Sequence, residues 1–310
     1  MATVSVTEGK IPFNAPNAGR PAETWYKIVS SLESPSPPLI VLHGGPGAGH
    51  HYLVSLTDLY DKCKIPILFY DQVGCGNSTH FRERKGDASF WTFELYYAEL
   101  DNLIDRFGLR EKGFFLLGHS WGGVLAGAYA SRTPSPAGLK KLVNVSGPAS
   151  TPLYLEGCQK LIAQLPGDVR ETLEACNRRG DHESSEYEQA AAVFSRRHAC
   201  RLDPYPEPVA SAYANVKDDP TACLTILGPS KFVVVGTMKT WEGWKEAHNI
   251  RVDVLLLSGR YDEVTDVSME PWFKHIPRVR WVTLENSSHM AHWEDRERFM
   301  DVTGTFLSKP

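Results

Sequence analysis

No apolar stretch in this chain approaches the ~18 residues that a membrane-spanning helix needs. Hydrophobic residues make up 42% of it and charged residues 23%, the balance of a soluble globular domain. Excess positive charge is absent too. Lys and Arg number 33 against 37 Asp and Glu, a formal net charge of -4, and Glu83 interrupts the longest basic cluster, Arg82 to Lys85. With no sequence-wide positive field to draw a phosphate backbone, nucleic acid is not an expected partner. Cysteine is sparse and unpatterned. Cys63, Cys75, Cys158, Cys176, Cys200 and Cys223 form no C-x-x-C pair and no zinc-finger spacing with histidine. That predicts free, buried thiols in a reducing compartment and no metal site. Residues Met1 to Lys10 lack the basic start and apolar stretch of a secretory signal, so the expectation is a cytoplasmic protein with no membrane association. No repeat of fixed period is visible, and low complexity is confined to Ser34 to Pro38, a rigid connector.

A chain of 310 residues buries roughly three quarters of its unfolded surface and needs no staple to fold. Short apolar runs, Leu39 to Leu42, Ile67 to Tyr70, Phe114 to Leu117 and Leu142 to Val145, alternate with helical patterns at Phe93 to Phe107 and Val124 to Ala130. Parallel strands need crossover connections and are buried on both faces, so this alternation predicts a mainly parallel sheet between helical layers. Thr3 to Val6 and Thr24 to Val29 read as an antiparallel start. From about Pro152 to Ala247 the pattern is helical only, over Leu153 to Leu165, Val169 to Cys176, Glu186 to Cys200 and Pro208 to Val216. Strands then resume at Val252 to Leu257 and Arg280 to Leu284, before a closing helix, Glu294 to Leu307. The expected organisation is a core over residues 1–151, a helical insertion over 152–247 and the rest of the core over 248–310, with roughly eight strands.

The sharpest motif is Phe114-Phe115-Leu116-Leu117-Gly118-His119-Ser120-Trp121-Gly122-Gly123, an apolar strand running into Gly-x-Ser-x-Gly and then a helix. A nucleophile on a strained strand-to-helix turn requires small residues two before and two after it. Ser120 is the candidate nucleophile. A serine hydroxyl needs a base, and the base an orienting carboxylate. Asp262 follows one later strand and His289 the next, both at the strand ends where open α/β sheets place active sites. Glu263 and Asp266 rival Asp262, and His292 rivals His289, but each stands farther from its strand end. His119 reads as a packing and hydrogen-bonding residue, and His198 as surface or core. A second turn, His43-Gly44-Gly45-Pro46-Gly47, follows Leu39 to Leu42. Its Gly45 N–H, with the Trp121 N–H at the helix start, is the candidate oxyanion hole, where each fixed donor is worth roughly 3 kcal/mol.

These motifs, together with Asp71-Gln72-Val73-Gly74-Cys75-Gly76-Asn77-Ser78, Gly259-Arg260-Tyr261-Asp262-Glu263-Val264-Thr265 and Ser288-His289 before Trp293-Glu294-Asp295, resemble the proline iminopeptidase-like α/β-hydrolases, which include L-amino acid amidases. The resemblance spans nearly the whole chain. It implies an α/β-hydrolase fold with an eight-stranded, mainly parallel sheet and an inserted helical cap. It further implies Ser120, Asp262 and His289 as triad, Gly45 and Trp121 as oxyanion hole, and Glu263 as a holder of the substrate's α-amine. One departure stands out. Aminopeptidases of this family carry a second glutamate in a Gly-Pro-x-x-Phe segment, which here reads Gly228-Pro229-Ser230-Lys231-Phe232. A cation at Lys231, were it turned into the pocket, would repel a free ammonium.

The sequence therefore predicts a cofactor-independent serine hydrolase working through an acyl-enzyme on a small-molecule or short-peptide substrate. An aminopeptidase or amino-acid amidase is the first reading. An esterase, lactonase or thioester hydrolase of a specialised metabolite, favoured by Lys231, is the alternative. A non-catalytic ligand receptor on the same scaffold is disfavoured by the complete triad, and an epoxide hydrolase or dehalogenase by serine where those chemistries use aspartate.

Overall fold

Every residue of Leu39–Leu42 (β3) and Ile67–Tyr70 (β4) is buried, as expected of strands covered on both faces. They sit in one sheet with Val6–Phe13 (β1), Ala22–Val29 (β2), Phe114–His119 (β5), Leu139–Val145 (β6), Asp253–Gly259 (β7) and Val279–Leu284 (β8), in the order β1-β2-β4-β3-β5-β6-β7-β8. The computed structural model describes residues 4–309. β1 and β2 pair antiparallel, as do β2 and β4, and all later pairs are parallel. Alternate residues feed two apolar layers. Ile40, Leu68, Leu116, Leu142 and Leu256 point to one side, and Val41, Phe69, Leu117, Val143 and Leu257 to the other.

Between β6 and β7 the chain is helical, with Thr151–Ile162, Gly167–Arg179, Ser185–His198, Glu207–Asp218 and Thr221–Ile226. Cys158, Ile162, Leu173, Cys176, Phe194 and Phe232 give part of this segment an apolar cluster of its own. No helix among the described residues is long and apolar enough to cross a membrane.

The structure departs from the sequence expectation at element ends. The first strand runs Val6–Phe13 rather than Thr3 to Val6, and Thr3 lies outside the described residues. Pro12 is tolerated there because β1 is an edge strand. The closing helix begins only at Arg296, because Asp295 (φ -128, ψ 51) breaks it from the short turn Ala291–Glu294. Several helices escaped the periodicity reading, the short Asp58–Cys63 and Leu109–Lys112 among them. Thr221–Ile226 is too short to show a period, and Asp266–His275 contains Pro271, which reads as a breaker.

Candidate active site

Four neighbouring strands end on one edge of the sheet, and each delivers a polar residue there: Ser120 after β5, Ser146 after β6, Asp262 after β7 and His289 after β8. Register fixes their proximity. His119 pairs with Val145, Val145 with Leu257 and Gly259 with Leu284, so the loops leave the sheet side by side.

Ser120 has φ 57 and ψ -122, a sparsely populated conformation for a non-glycine residue, at the junction with the Trp121–Ala130 helix. The turn closes because its neighbours have no side chains. A Cβ at Gly118 would stand 2.0 Å from the Gly122 carbonyl oxygen, and one at Gly122 would stand 2.1 Å from that of Leu42. The Gly44–Gly45 turn also comes close, since a Cβ at Gly44 would lie 3.0 Å from Ser120 Cβ. Gly45 itself has φ 109, open to glycine and strained for other residues.

His289 Nδ1 donates to Asp262 Oδ1 at 2.8 Å, and both side chains are almost fully buried. Asp262 also accepts from the Val264 N–H (2.8 Å), the Ser146 hydroxyl (2.5 Å) and the Gly259 N–H (3.4 Å). These donors fix the carboxylate plane and, through it, the imidazole. Burial tends to lower the His289 pKa, but the Asp262 charge and hydrogen bond outweigh it, so the pKa lies above the usual 6.5. With Nδ1 committed to Asp262, Nε2 is turned away from it, on the ring that lines a cavity with Ser120.

The rivals lie elsewhere. His292 Nε2 donates to the Tyr52 carbonyl (3.0 Å), and burial drives its pKa down to about 3. Asp266 is exposed in the first turn of the Asp266–His275 helix. The Glu263 carboxylate faces the cavity rather than His289's Nδ1.

A second network, unforeseen in the sequence, links the glycine turn to the His289 loop. The Gly44 N–H donates to the Tyr52 hydroxyl (2.7 Å), which donates to His119 Nδ1 (2.8 Å), and His119 Nε2–H donates to the His289 carbonyl (2.8 Å). The directions are set from the far end, since the His289 carbonyl can only accept, which puts the proton of the neutral His119 ring on Nε2 and leaves Nδ1 to accept. Burial, then the neighbouring His289 and His292, hold the His119 pKa well below its usual value, so the ring stays neutral. Gln72 ties the His43–Gly45 turn to the start of the Trp121–Ala130 helix, donating to the His43 carbonyl (3.0 Å) and accepting from the Trp121 indole (3.0 Å). His43, its pKa lowered by burial to about 4, accepts the Gln72 N–H on Nε2 at 2.9 Å. His198 lies at the seam of insertion and core. Its carbonyl accepts the Glu263 N–H (3.1 Å) and the His289 N–H (3.3 Å). Glu294 pins the same loop through the Ser288 N–H (2.8 Å). His43, Gln72, His119 and Glu294 stand in motifs that the sequence shows, but the sequence does not name their hydrogen-bond partners, and Tyr52 stands in none.

Two cavities meet at Gly45, Ser120, Leu227, Lys231 and Glu263. The larger, about 350 Å³, adds His289, Tyr213 and Lys217, and the smaller, about 130 Å³, adds Trp121, Val124, Tyr154, Val234 and Met238. Lys231 points into both, with its ammonium 2.5 Å from Glu263 Oε2. Burial pushes the Glu263 pKa up, but the Lys231 charge, aided by His289, brings it below the ordinary value. All six cysteines are free. Cys176, Asp181 and Glu186 lie within ligand reach of one another, and the Arg179 guanidinium bonds all three side chains.

Residues 37–296 match the alpha/beta hydrolase fold family. The proline iminopeptidase of Saccharolobus solfataricus is 36% identical over 87% of this chain and 84% of its own length. Among solved structures, VinJ superposes with a TM-score of 0.91 at 39% identity, covering 97% of this chain and 98% of that one. The proline iminopeptidase of Mycobacterium smegmatis does so with 0.86 at 36%, covering 96% and 97%. An eight-stranded, mainly parallel sheet, a Gly-x-Ser-x-Gly turn on its central strand and likeness to these proteins over most of the chain agree: the chain belongs to the α/β-hydrolase fold family and to its proline iminopeptidase-like branch.

Proposed function

We propose that the protein is a serine aminopeptidase or amino-acid amidase that removes a small acyl group through an acyl-enzyme on Ser120. His289 Nε2 takes the Ser120 proton as the hydroxyl attacks the carbonyl carbon and returns it to the leaving amine. Asp262 holds the imidazole and stabilises the imidazolium. Backbone N–H groups of Gly45 and Trp121 receive the oxyanion. The helical segment 152–247 acts as the cap, and small molecules or short peptides are the substrates.

The observation that carries this reading is the meeting of Ser120, Gly45 and Glu263 where the two cavities join, with His289 in the wall of the larger. A substrate laid across that junction places its acyl group in one chamber and its leaving group in the other. Among the described residues Glu263 is the one carboxylate in either wall and the natural partner of an α-ammonium. The test compares kcat/KM on aminoacyl 4-nitroanilides and their N-acetyl counterparts. Glu263→Gln should lower the free-amine values by about ten- to a hundredfold, the worth of a charge-assisted hydrogen bond of roughly 1.5 to 3 kcal/mol. Equal effects on free and blocked substrates would favour the esterase or lactonase reading, to which the Lys231–Glu263 pairing lends itself.

A further inference from the structure

The Lys231 ammonium is held from three sides. Glu263 Oε2 lies 2.5 Å away, and the ring centroids of Phe194 and Phe232 lie at 5.1 and 5.5 Å. A carboxylate with two aromatic faces is a cation site. Its walls are rigid. Phe194 and Phe232 are buried and pack edge to face, centroids 4.8 Å apart at 76°, and Glu263 is fixed through its backbone bond to His198. The chain fills this site with its own side chain, in the wall of both cavities beside Ser120.

We propose that Lys231 is a specificity-determining residue: a resident cation that occupies the acyl-amine site and opens the enzyme to acyl groups without a free amine. The proposal rests on the reading of Glu263 as the amine anchor. A substrate ammonium reaching Glu263 finds one carboxylate oxygen committed and a like charge beside it. An N-acylated or otherwise uncharged acyl group meets a neutral pair instead of a lone carboxylate that it would have to desolvate unpaired, the penalty by which such a site would reject it. The smaller chamber's walls of Trp121, Val124, Val234 and Met238 suit an uncharged acyl body.

The experiment measures kcat/KM for an aminoacyl 4-nitroanilide and its N-acetyl form and follows their ratio in the wild type, Lys231→Met, Lys231→Gln and Glu263→Gln. Thermal melting establishes that each variant is folded. The free-to-blocked ratio is expected to rise at least tenfold in Lys231→Met and equally in Lys231→Gln, and to fall at least tenfold in Glu263→Gln. A ratio that stays level or falls in the folded Lys231 variants, while Glu263→Gln lowers it, overturns the role of Lys231 and leaves the amine anchor standing. A ratio unmoved by Glu263→Gln removes the anchor and the proposal with it.

Discussion

Tyr52→Phe deletes one oxygen and leaves two buried groups without partners. The hydroxyl accepts from the Gly44 N–H at 2.7 Å and donates to His119 Nδ1 at 2.8 Å, and it is enclosed so fully that burial raises its pKa. Leaving each group unpaired costs about 1–3 kcal/mol, so the fold should lose about 2–6 kcal/mol, visible as a drop of several degrees in Tm. The kinetic effect is separable. Gly44 is bonded directly to Gly45, and the His119 ring supports the His289 carbonyl, so the proposed oxyanion segment and the proposed base should loosen together. Full loss of an oxyanion donor is worth about 3 kcal/mol, and loosening should forfeit about half or more of that, a ten- to hundredfold fall in kcat. KM should barely change, because the affected contacts strengthen mainly in the transition state. Steady-state kinetics on an aryl ester, with melting curves on the same preparation, decide it. A kcat within twofold of wild type at lowered Tm would mean that Tyr52 serves the fold alone, and the positioning argument would be wrong.

Two further outcomes follow from titration. His289 must be neutral to act as base, and Asp262 raises its pKa above 6.5, so kcat/KM should fall with decreasing pH through an inflection above 6.5; Asp262→Asn should cut the rate by about 10⁴ and move any residual inflection down, and a limb unmoved by that change would contradict the assignment. Glu99 is buried, accepting from the Thr24 hydroxyl (2.6 Å) and the Val73 N–H, and burial pushes its pKa up to about 8. Between its ordinary value of 4.5 and about 8 the folded state holds a proton the unfolded state has released. Stability should therefore decline with rising pH across that window, by up to about 1.4 kcal/mol per pH unit. Glu99→Gln should flatten the decline in denaturant titrations at pH 5 and 8, and an equal decline in both proteins would count against it.

Much of the candidate site was legible because the signals for it are local. The turn at Ser120 needs Gly118 and Gly122 for steric reasons that operate within a few residues, and the strand ends before Asp262 and His289 are marked by unbroken apolar runs. Tyr52, Gln72, Ser146 and His198 were not legible. Each acts through a hydrogen bond to a residue far along the chain, as Ser146 does to Asp262, and only the sheet order brings such pairs together. Lys231 is the middle case. Its place in a Gly-Pro-x-x-Phe segment flagged a departure, but whether its ammonium faced water or the pocket depended on how the helical segment packs against the loop of Glu263. The edge strand β1 was misplaced for a related reason, since pairing with β2 carries it through Gly9 and Pro12, which by themselves read as a connection.

The central claim is that chemistry passes through a covalent bond to Ser120 Oγ. Intact-mass spectrometry after treatment with an alkyl fluorophosphonate, followed by peptide mapping, tests it in one measurement. A single stoichiometric adduct on the peptide containing Ser120 is expected, formed in step with loss of activity, with neither adduct nor turnover in folded Ser120→Ala. An adduct on another residue that tracks inactivation, or full turnover by Ser120→Ala, would contradict it.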